Sequence, residues 1–305
     1  MKSRNLLNLV LLGIVVVLVL VVVFEPGKKP VQPKPKLTTL NKDSVSKIRI
    51  QRQGKKDVLL EKQHDEWHMM APYQLPANKF RLEAILRLLE TPSYSQHDIR
   101  KLDKHTFKLD KPEITLTFDN KLSMAFGGSE PLNHRRYVQV GDTLNLISDS
   151  VYYYLAGKTT SLLSLQLLPA NSAIKAIQLP KYKLQLKAGH WQIENEPKKM
   201  ASDAVTQLLN NWKLAQALDV VPATAKPGKQ QVKIFFEGQE KPIVFSIVKR
   251  QPDFILLRED KGVEYQLTED SADRLLTLAG PETTSEPGNK SDDKTAKHTT
   301  GAVTK

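Results

Sequence analysis

Leu6–Phe24, "LLNLVLLGIVVVLVLVVVF", is apolar at almost every position and shows no period at all. As a helix it would extend roughly 28 Å at about 1.5 Å per residue, close to the hydrocarbon thickness of a bilayer. A cleaved signal peptide has an apolar region of only about 7–15 residues and ends at small residues. This run ends in "VVVFEPGKKP", with neither an alanine nor a cysteine. The expectation is an uncleaved transmembrane anchor over residues 6–24 behind a short flank, residues 1–5. Residues 25–43, rich in proline and lysine, read as an extended stalk. Residues 281–305 contain almost no large apolar side chain and read as a disordered tail.

Between stalk and tail, strand-like alternation sets in, and it occurs twice. "VSKIRI" (Val45–Ile50) and "IKAIQL" (Ile174–Leu179) share one apolar spacing. "DVLLEK" and "KYKLQLK" follow, with Val58 and Leu60 answered by apolar positions such as Leu184 and Leu186. "EWHMMAP" is then matched by "HWQIENEP", which pairs Trp67 with Trp191 and Met69 with Ile193. At the same offset from each tryptophan, at Ala77 and Ala201, the period becomes helical. Ile85, Leu88 and Leu89 line one face of the first helix, and Val205, Leu208, Leu209 and Trp212 line the second.

The series continues with "PEITLTFDNKLSMAFGG" and "QQVKIFFEGQEKPIVFSIV". Each is a strand, a turn (Asp119-Asn120 or Glu237-Gly238) and a strand. "RRYVQVGDTLNLIS" and "PDFILLREDKGVEYQLT" repeat that plan, and each copy closes with a short helix, in "SDSVYYYLAG" and "TEDSADRLLTLAG", at an expected N-cap. So long a series in one order predicts a tandem duplication of α+β units, over residues 44–168 and 169–280. Each would be mostly antiparallel sheet with one main helix. The halves are expected to meet around residues 165–172, with Trp67 and Trp191 as matched core anchors.

Composition narrows the function. The chain has 305 residues, 40% of them hydrophobic, a formal charge of +12 and no cysteine, which excludes disulfides, thiolate metal sites and a cysteine nucleophile. Residues 1–36 carry six Lys/Arg against one Glu, and the tail from Pro281 is balanced, which leaves a folded middle near +7. That charge is scattered. It suits a solvated surface or contact with anionic lipid or an envelope polymer, and no motif for nucleic acid accompanies it.

The conspicuous chemistry is in "QHDEWHMM". His64 and His68 stand four apart, the spacing of a helical zinc pair. On a strand, however, four residues span about 13 Å, and Asp65 occupies the place where the zincin pattern needs Glu. No metal site is expected there. "LNHRRYV" offers His134, Arg135 and Arg136 for an anion or a partner, and "VKRQPDF" offers Lys249 and Arg250 in the equivalent region. Of the consecutive Tyr152–Tyr154, at least one must be exposed or reach an interface. "AFGGSE" is too short for a dinucleotide fingerprint, and no nucleophile-elbow or phosphate-loop motif is present.

The order of anchor, strand pair, "W…P…A" leading into a helix, "PEITLTF", a glycine-containing turn and "YVQVGD…LNLIS" resembles the family of domains of unknown function numbered 4340 over roughly residues 45–280. That resemblance implies an extracytoplasmic body anchored in the bacterial inner membrane. It also implies association with ABC-type exporters of the kind first described with gliding motility, and it carries over no catalytic residue. The expectation is a non-enzymatic binding or scaffold protein without cofactor, an accessory to an ABC-type permease and ATPase. The alternative is an envelope enzyme or ligand sensor with its site in the cleft between the repeats. A third is an envelope structural protein whose tail reaches a partner.

Overall fold

The computed structural model describes residues 2–24, 34–169, 172–194 and 202–278, with side chains from 6 to 22 in the first stretch and from 203 in the last. Most of the expected stalk (25–33), Ala201 and the expected tail (281–305) therefore lie outside the described residues. Helix α1 spans Lys2–Phe24. Among the described residues, no helix is long and apolar enough to cross a membrane.

The first series of strands is β1 (Lys47–Arg52), β2 (Val58–Gln63), β3 (Glu66–Ala71), β4 (Leu75–Pro76), β5 (Ser95–Asp98), β6 (Ile114–Phe118), β7 (Leu122–Ser129), β8 (Arg136–Val140) and β9 (Thr143–Ile147). Helix α2 (Lys79–Leu86) follows β4, and α3 (Tyr152–Ala156) follows β9. The second series is β10 (Ile174–Gln178), β11 (Lys183–Lys187), β12 (His190–Glu194), α4 (Ser202–Leu214), β13 (Asp219–Pro222), β14 (Gln230–Phe236), β15 (Ile243–Lys249), β16 (Phe254–Arg258), β17 (Val263–Leu267) and α5 (Asp270–Leu276).

Two mostly antiparallel sheets result, which makes the chain α+β. Their strand orders are β4-β3-β2-β1-β6-β7-β8-β9-β5 and β12-β11-β10-β14-β15-β16-β17-β13. Without β4, the two orders correspond strand for strand, so the architecture is repeat-like. Alternation sets the register. In β1 and β2, Ile48 faces Leu60 and Ile50 faces Val58, and all four are buried. A slip by one residue would turn that row outward. The hairpin turns take positive φ at Asp119 and Asn120 between β6 and β7, at His64 and Asp65 between β2 and β3, and at Ala188 and Gly189 between β11 and β12, residue types that favour it except for Ala188.

The chain forms two compact units. One holds Met1–Ser44, Leu86–Glu113 and Met124–Asp149. Its core includes Ile99, Leu109 and Leu144, against which Phe107, Ala125 and Tyr137 pack. The "GG" of "AFGGSE" lies inside β7 rather than between strands, at a shift in the β7–β8 register. A Cβ on Gly127 would collide with the Phe107 carbonyl oxygen, so the chain there can pass only as glycine.

The other unit holds Val45–Ile85, Ile114–Ser123 and Ser150 onward. Trp212 of α4 is fully buried in it. Its indole N–H donates to the Leu275 carbonyl at 2.8 Å, and its ring lies 5.7 Å from Phe245, which in turn meets Tyr265 edge-on at 6.0 Å. Arg52, at the end of β1, is also buried. It donates to the carbonyls of Leu155 and Gly157 and to the Thr159 hydroxyl, so it caps the C-terminal end of α3, where a cation is favoured.

Several expectations need correction. Trp67 and Trp191 are half-buried, not core anchors. β12 is the edge of its sheet and β3 has only the two-residue β4 beyond it, so neither ring is covered on all sides. Met69 is the buried residue of β3, and Trp212 is the anchor of the second core. The helix begun by "ANKFRLEAILRLLE" tightens to a 3-10 turn at Arg87–Glu90. α3 and α5 start at Val151 and Glu269 without a side-chain cap. β5 and β13, the far edges of the two sheets, were not expected from the apolar pattern. Trp212→Ala should cost about 3–5 kcal/mol of stability by cavity formation, and Trp191→Ala about 1 kcal/mol by loss of partial burial. Denaturant titration followed by circular dichroism separates the two, and equal losses would contradict this placement.

Candidate functional site

The basic residues singled out in the sequence occupy equivalent places, His134 and Arg135 between β7 and β8 with Arg136 opening β8, and Arg250 between β15 and β16 with Lys249 closing β15. They belong to different compact units and serve different purposes. Arg136 is committed to the fold. Its Nε and one terminal nitrogen donate to Asp149 at 2.8 and 2.7 Å, and the other terminal nitrogen donates to the Gly127 carbonyl at 2.9 Å. With its side chain only 12% exposed, it is no surface anion contact. Arg135 lays its guanidinium over the Tyr94 ring, 3.7 Å from the centroid. His134 is exposed in the turn with φ of 51°. In the second sheet, Lys249 stands 4.0 Å from Asp253, and Arg250 donates to Gln230 at 2.8 Å.

His64 sits in the β2–β3 turn with φ of 48°, a conformation that polar turn residues tolerate. The His68 Nδ1 lies 3.3 Å from the Glu66 carbonyl oxygen. Among the described residues, no three of His, Cys, Asp or Glu are grouped to hold a metal ion.

The concave feature of most interest lies in the second compact unit, where the segment joining the two sheets crosses the start of α2. Ala77 N–H donates to the Trp67 carbonyl at 2.8 Å, and Asn78 N–H donates to the Leu162 carbonyl at 2.8 Å. Ser164 N–H returns a bond to the Pro76 carbonyl at 2.8 Å. Further along, Leu167 N–H donates to the Ala215 carbonyl at 3.2 Å, and Ala217 N–H donates to the Leu165 carbonyl at 2.8 Å. The joining segment is thus bound by single bridges, Leu163 to Ala77 of the first half and Gln166 to Gln216 of the second. It brackets a cavity of about 280 Å³ that Trp67, Asn78, Phe80, Gln166, Leu168 and Gln216 help to line.

The surface around this cavity is aromatic. Phe80 is 74% exposed, although it stands in the first turn of a folded helix. It meets Tyr154 edge-on at 6.4 Å, Tyr154 meets Tyr153 at 6.1 Å, and Arg81 lies 5.6 Å from the Tyr154 centroid. Tyr153 is the exposed member of the tyrosine run, at 76%. Glu66 and Lys79 supply the charged lining and stand 3.9 Å apart. The arrangement offers ring faces and amide side chains, which can grip apolar and backbone groups.

The sequence pointed to Trp67 and to a meeting of the halves around residues 165–172, but it did not name the rest of this lining, whose amides and prolines carry no motif. Phe80 offered a further signal, being an aromatic residue off the stripe formed by Ile85, Leu88 and Leu89. Sequence reasoning also missed the buried polar groups. Glu264 accepts the backbone N–H of Thr224 at 2.6 Å and of Ala225 at 2.7 Å, and so holds the loop after β13. The Arg258 guanidinium donates twice to Asp260 and holds that carboxyl below its usual range. Burial alone lowers the Arg52 guanidinium. Arg136→Ala should destabilise the protein by about 2 kcal/mol, since charged hydrogen bonds are lost around a half-buried Asp149. Arg250→Ala should change stability by no more than about 0.5 kcal/mol. Similar denaturation midpoints for the two variants would contradict the assignment of Arg136 to the fold.

No curated protein and no solved structure matches the chain. The family described as Domain of unknown function (DUF4340) matches residues 67–233, from the first tryptophan to β14, and takes in the lining of the cleft except Glu66. That stretch is more than half of the sequence, and the chain belongs to this family.

Proposed function

We propose that the protein is a membrane-anchored, extracytoplasmic binding or scaffold protein, an accessory to an ABC-type export system, and that it acts without catalysis. The anchor is residues 6–24, whose run, apolar but for Asn8, has the length of a membrane span. The two repeat units form the extracytoplasmic body, and the bacterial inner membrane is its place. Chemically the reading is carried by the cleft at the joining segment. Exposed aromatic surface rimmed by polar groups is characteristic of interaction sites, and rigid aromatic side chains are the usual anchors of such interfaces.

The alternative, an envelope enzyme or sensor, called for carboxylates or histidines converging in that cleft. Among the described residues, the cleft's lining has one carboxylate, Glu66, which faces Lys79, and no histidine. General acid–base work needs groups within hydrogen-bond reach of a substrate proton, and a single exposed ion pair is a poor candidate for it. The permease and ATPase come into the proposal from the genomic company of the family, and the cleft supplies the means of attachment.

Crosslinking in native membranes, followed by purification of the full chain in mild detergent, should recover an ABC-type permease and ATPase. Phe80→Ser together with Trp67→Ala should abolish that recovery while costing only about 1 kcal/mol of stability, the loss expected for a half-buried tryptophan, so the protein stays folded. Recovery of the protein alone, or undiminished recovery with the double variant, would contradict the proposal.

A further inference from the structure

The connection between β7 and β8 combines three features that the cleft does not use. Its first is exposure: Leu132 is 86% exposed, the highest value for a large apolar residue among those described. Its second is charge. His134 and Arg135 lie just beyond Leu132, and the acidic Glu130 of the same loop accepts a hydrogen bond from Asn133 at 3.3 Å.

The third feature is position. The stretch Lys34–Leu37 is fastened to residues 91–94. Ser93 N–H donates to the Pro35 carbonyl at 2.8 Å, Leu37 N–H donates to the Thr91 carbonyl at 3.1 Å, and Lys36 bridges Pro92. Next to this fastening the Tyr94 ring carries two cations, Lys34 Nζ at 3.9 Å and the Arg135 guanidinium at 3.7 Å from its centroid. Two cationic groups that close to one ring occupy its opposite faces, each held by the ring's electron density. The loop is therefore fixed beside the point at which the chain leaves the body toward α1. From Phe24 to Lys34 the chain reaches at most roughly 35 Å, even fully extended.

We propose that this loop is a membrane-contact site. Leu132 enters the interfacial layer of the bilayer that holds α1, and Lys34, Lys36, His134 and Arg135 lie against anionic lipid headgroups. This rests on the anchor of the proposed function and adds a second attachment that sets how the body faces the membrane. An apolar tip flanked by basic residues gains from both parts of an anionic interface, its acyl boundary and its negative surface potential. Tethering keeps the loop at high effective concentration near that surface, so a few contacts suffice.

The absence of cysteine makes the test direct. Leu132→Cys and, separately, Leu12→Cys in the full chain are labelled with an environment-sensitive fluorophore. Each is reconstituted into nanodiscs of phosphatidylcholine, alone or mixed with phosphatidylglycerol, with a lipid-borne quencher. The Leu12 label should be quenched in both lipids. The Leu132 label should be quenched strongly in the anionic discs and little in the neutral ones, and Lys34→Glu or Arg135→Glu should remove the difference. Quenching at Leu12 without quenching at Leu132 in anionic discs overturns the loop proposal and leaves the anchor standing, as does equal quenching at Leu132 in both lipids. An unquenched Leu12 label overturns the anchor, and the loop proposal with it. Quenching at Leu132 that appears only when a permease is reconstituted alongside makes the loop a protein contact and overturns the lipid assignment.

Discussion

The short backbone ladder along Leu162–Leu168 is the constraint on which the candidate site depends. Its carbonyls and amides are exchanged with Pro76 and Asn78 on one side and with Ala215 and Ala217 on the other, at 2.8–3.2 Å. A buried backbone group left without a partner costs as much as a lost hydrogen bond, so this segment resists displacement from either side. Because it is held on both sides, the entry to α2 and the exit from α4 are brought together. Trp67 and Phe80 then share a cavity with Gln216, far from them in sequence.

Much of the fold was legible because it rests on local rules. Alternation places Ile48, Ile50, Val58 and Leu60 on the buried face of β1 and β2, and residues that tolerate positive φ mark the hairpins. The order of these signals exposed the repeat, and the two sheets keep one strand order apart from β4. What stayed hidden is what tertiary context decides. β5, "SQHD", has no apolar period and becomes a strand only because β9 offers its edge. Trp67 and Trp191 were correctly matched with each other and wrongly taken for core, since a sequence does not show how near a strand lies to the edge of its sheet. The halves were expected to meet around residues 165–172, yet most of the cleft's lining could not be named, because its walls are set by main-chain hydrogen bonds, which no side-chain motif announces.

The repeat also shows how equivalent positions part company. The β7–β8 and β15–β16 connections both carry basic residues. In the first, Arg136 grips Asp149 and Arg135 covers Tyr94, whereas in the second Arg250 reaches Gln230. Basic character is common to both, yet the geometry is not, and only the first connection presents an exposed leucine beside its cations. The two sheets share one strand order apart from β4, and the two connections depart from that likeness in what their cations touch.

The central claim is that the aromatic cleft at the joining segment engages the export machinery. A photo-reactive phenylalanine analogue at Phe80, activated in native membranes, tests it most directly when compared with the same analogue at Lys241, in the exposed turn between β14 and β15. The account predicts an adduct with a permease or ATPase subunit, identified by mass spectrometry, from position 80 and none from position 241. No adduct from position 80, or the same adduct from both positions, would contradict it.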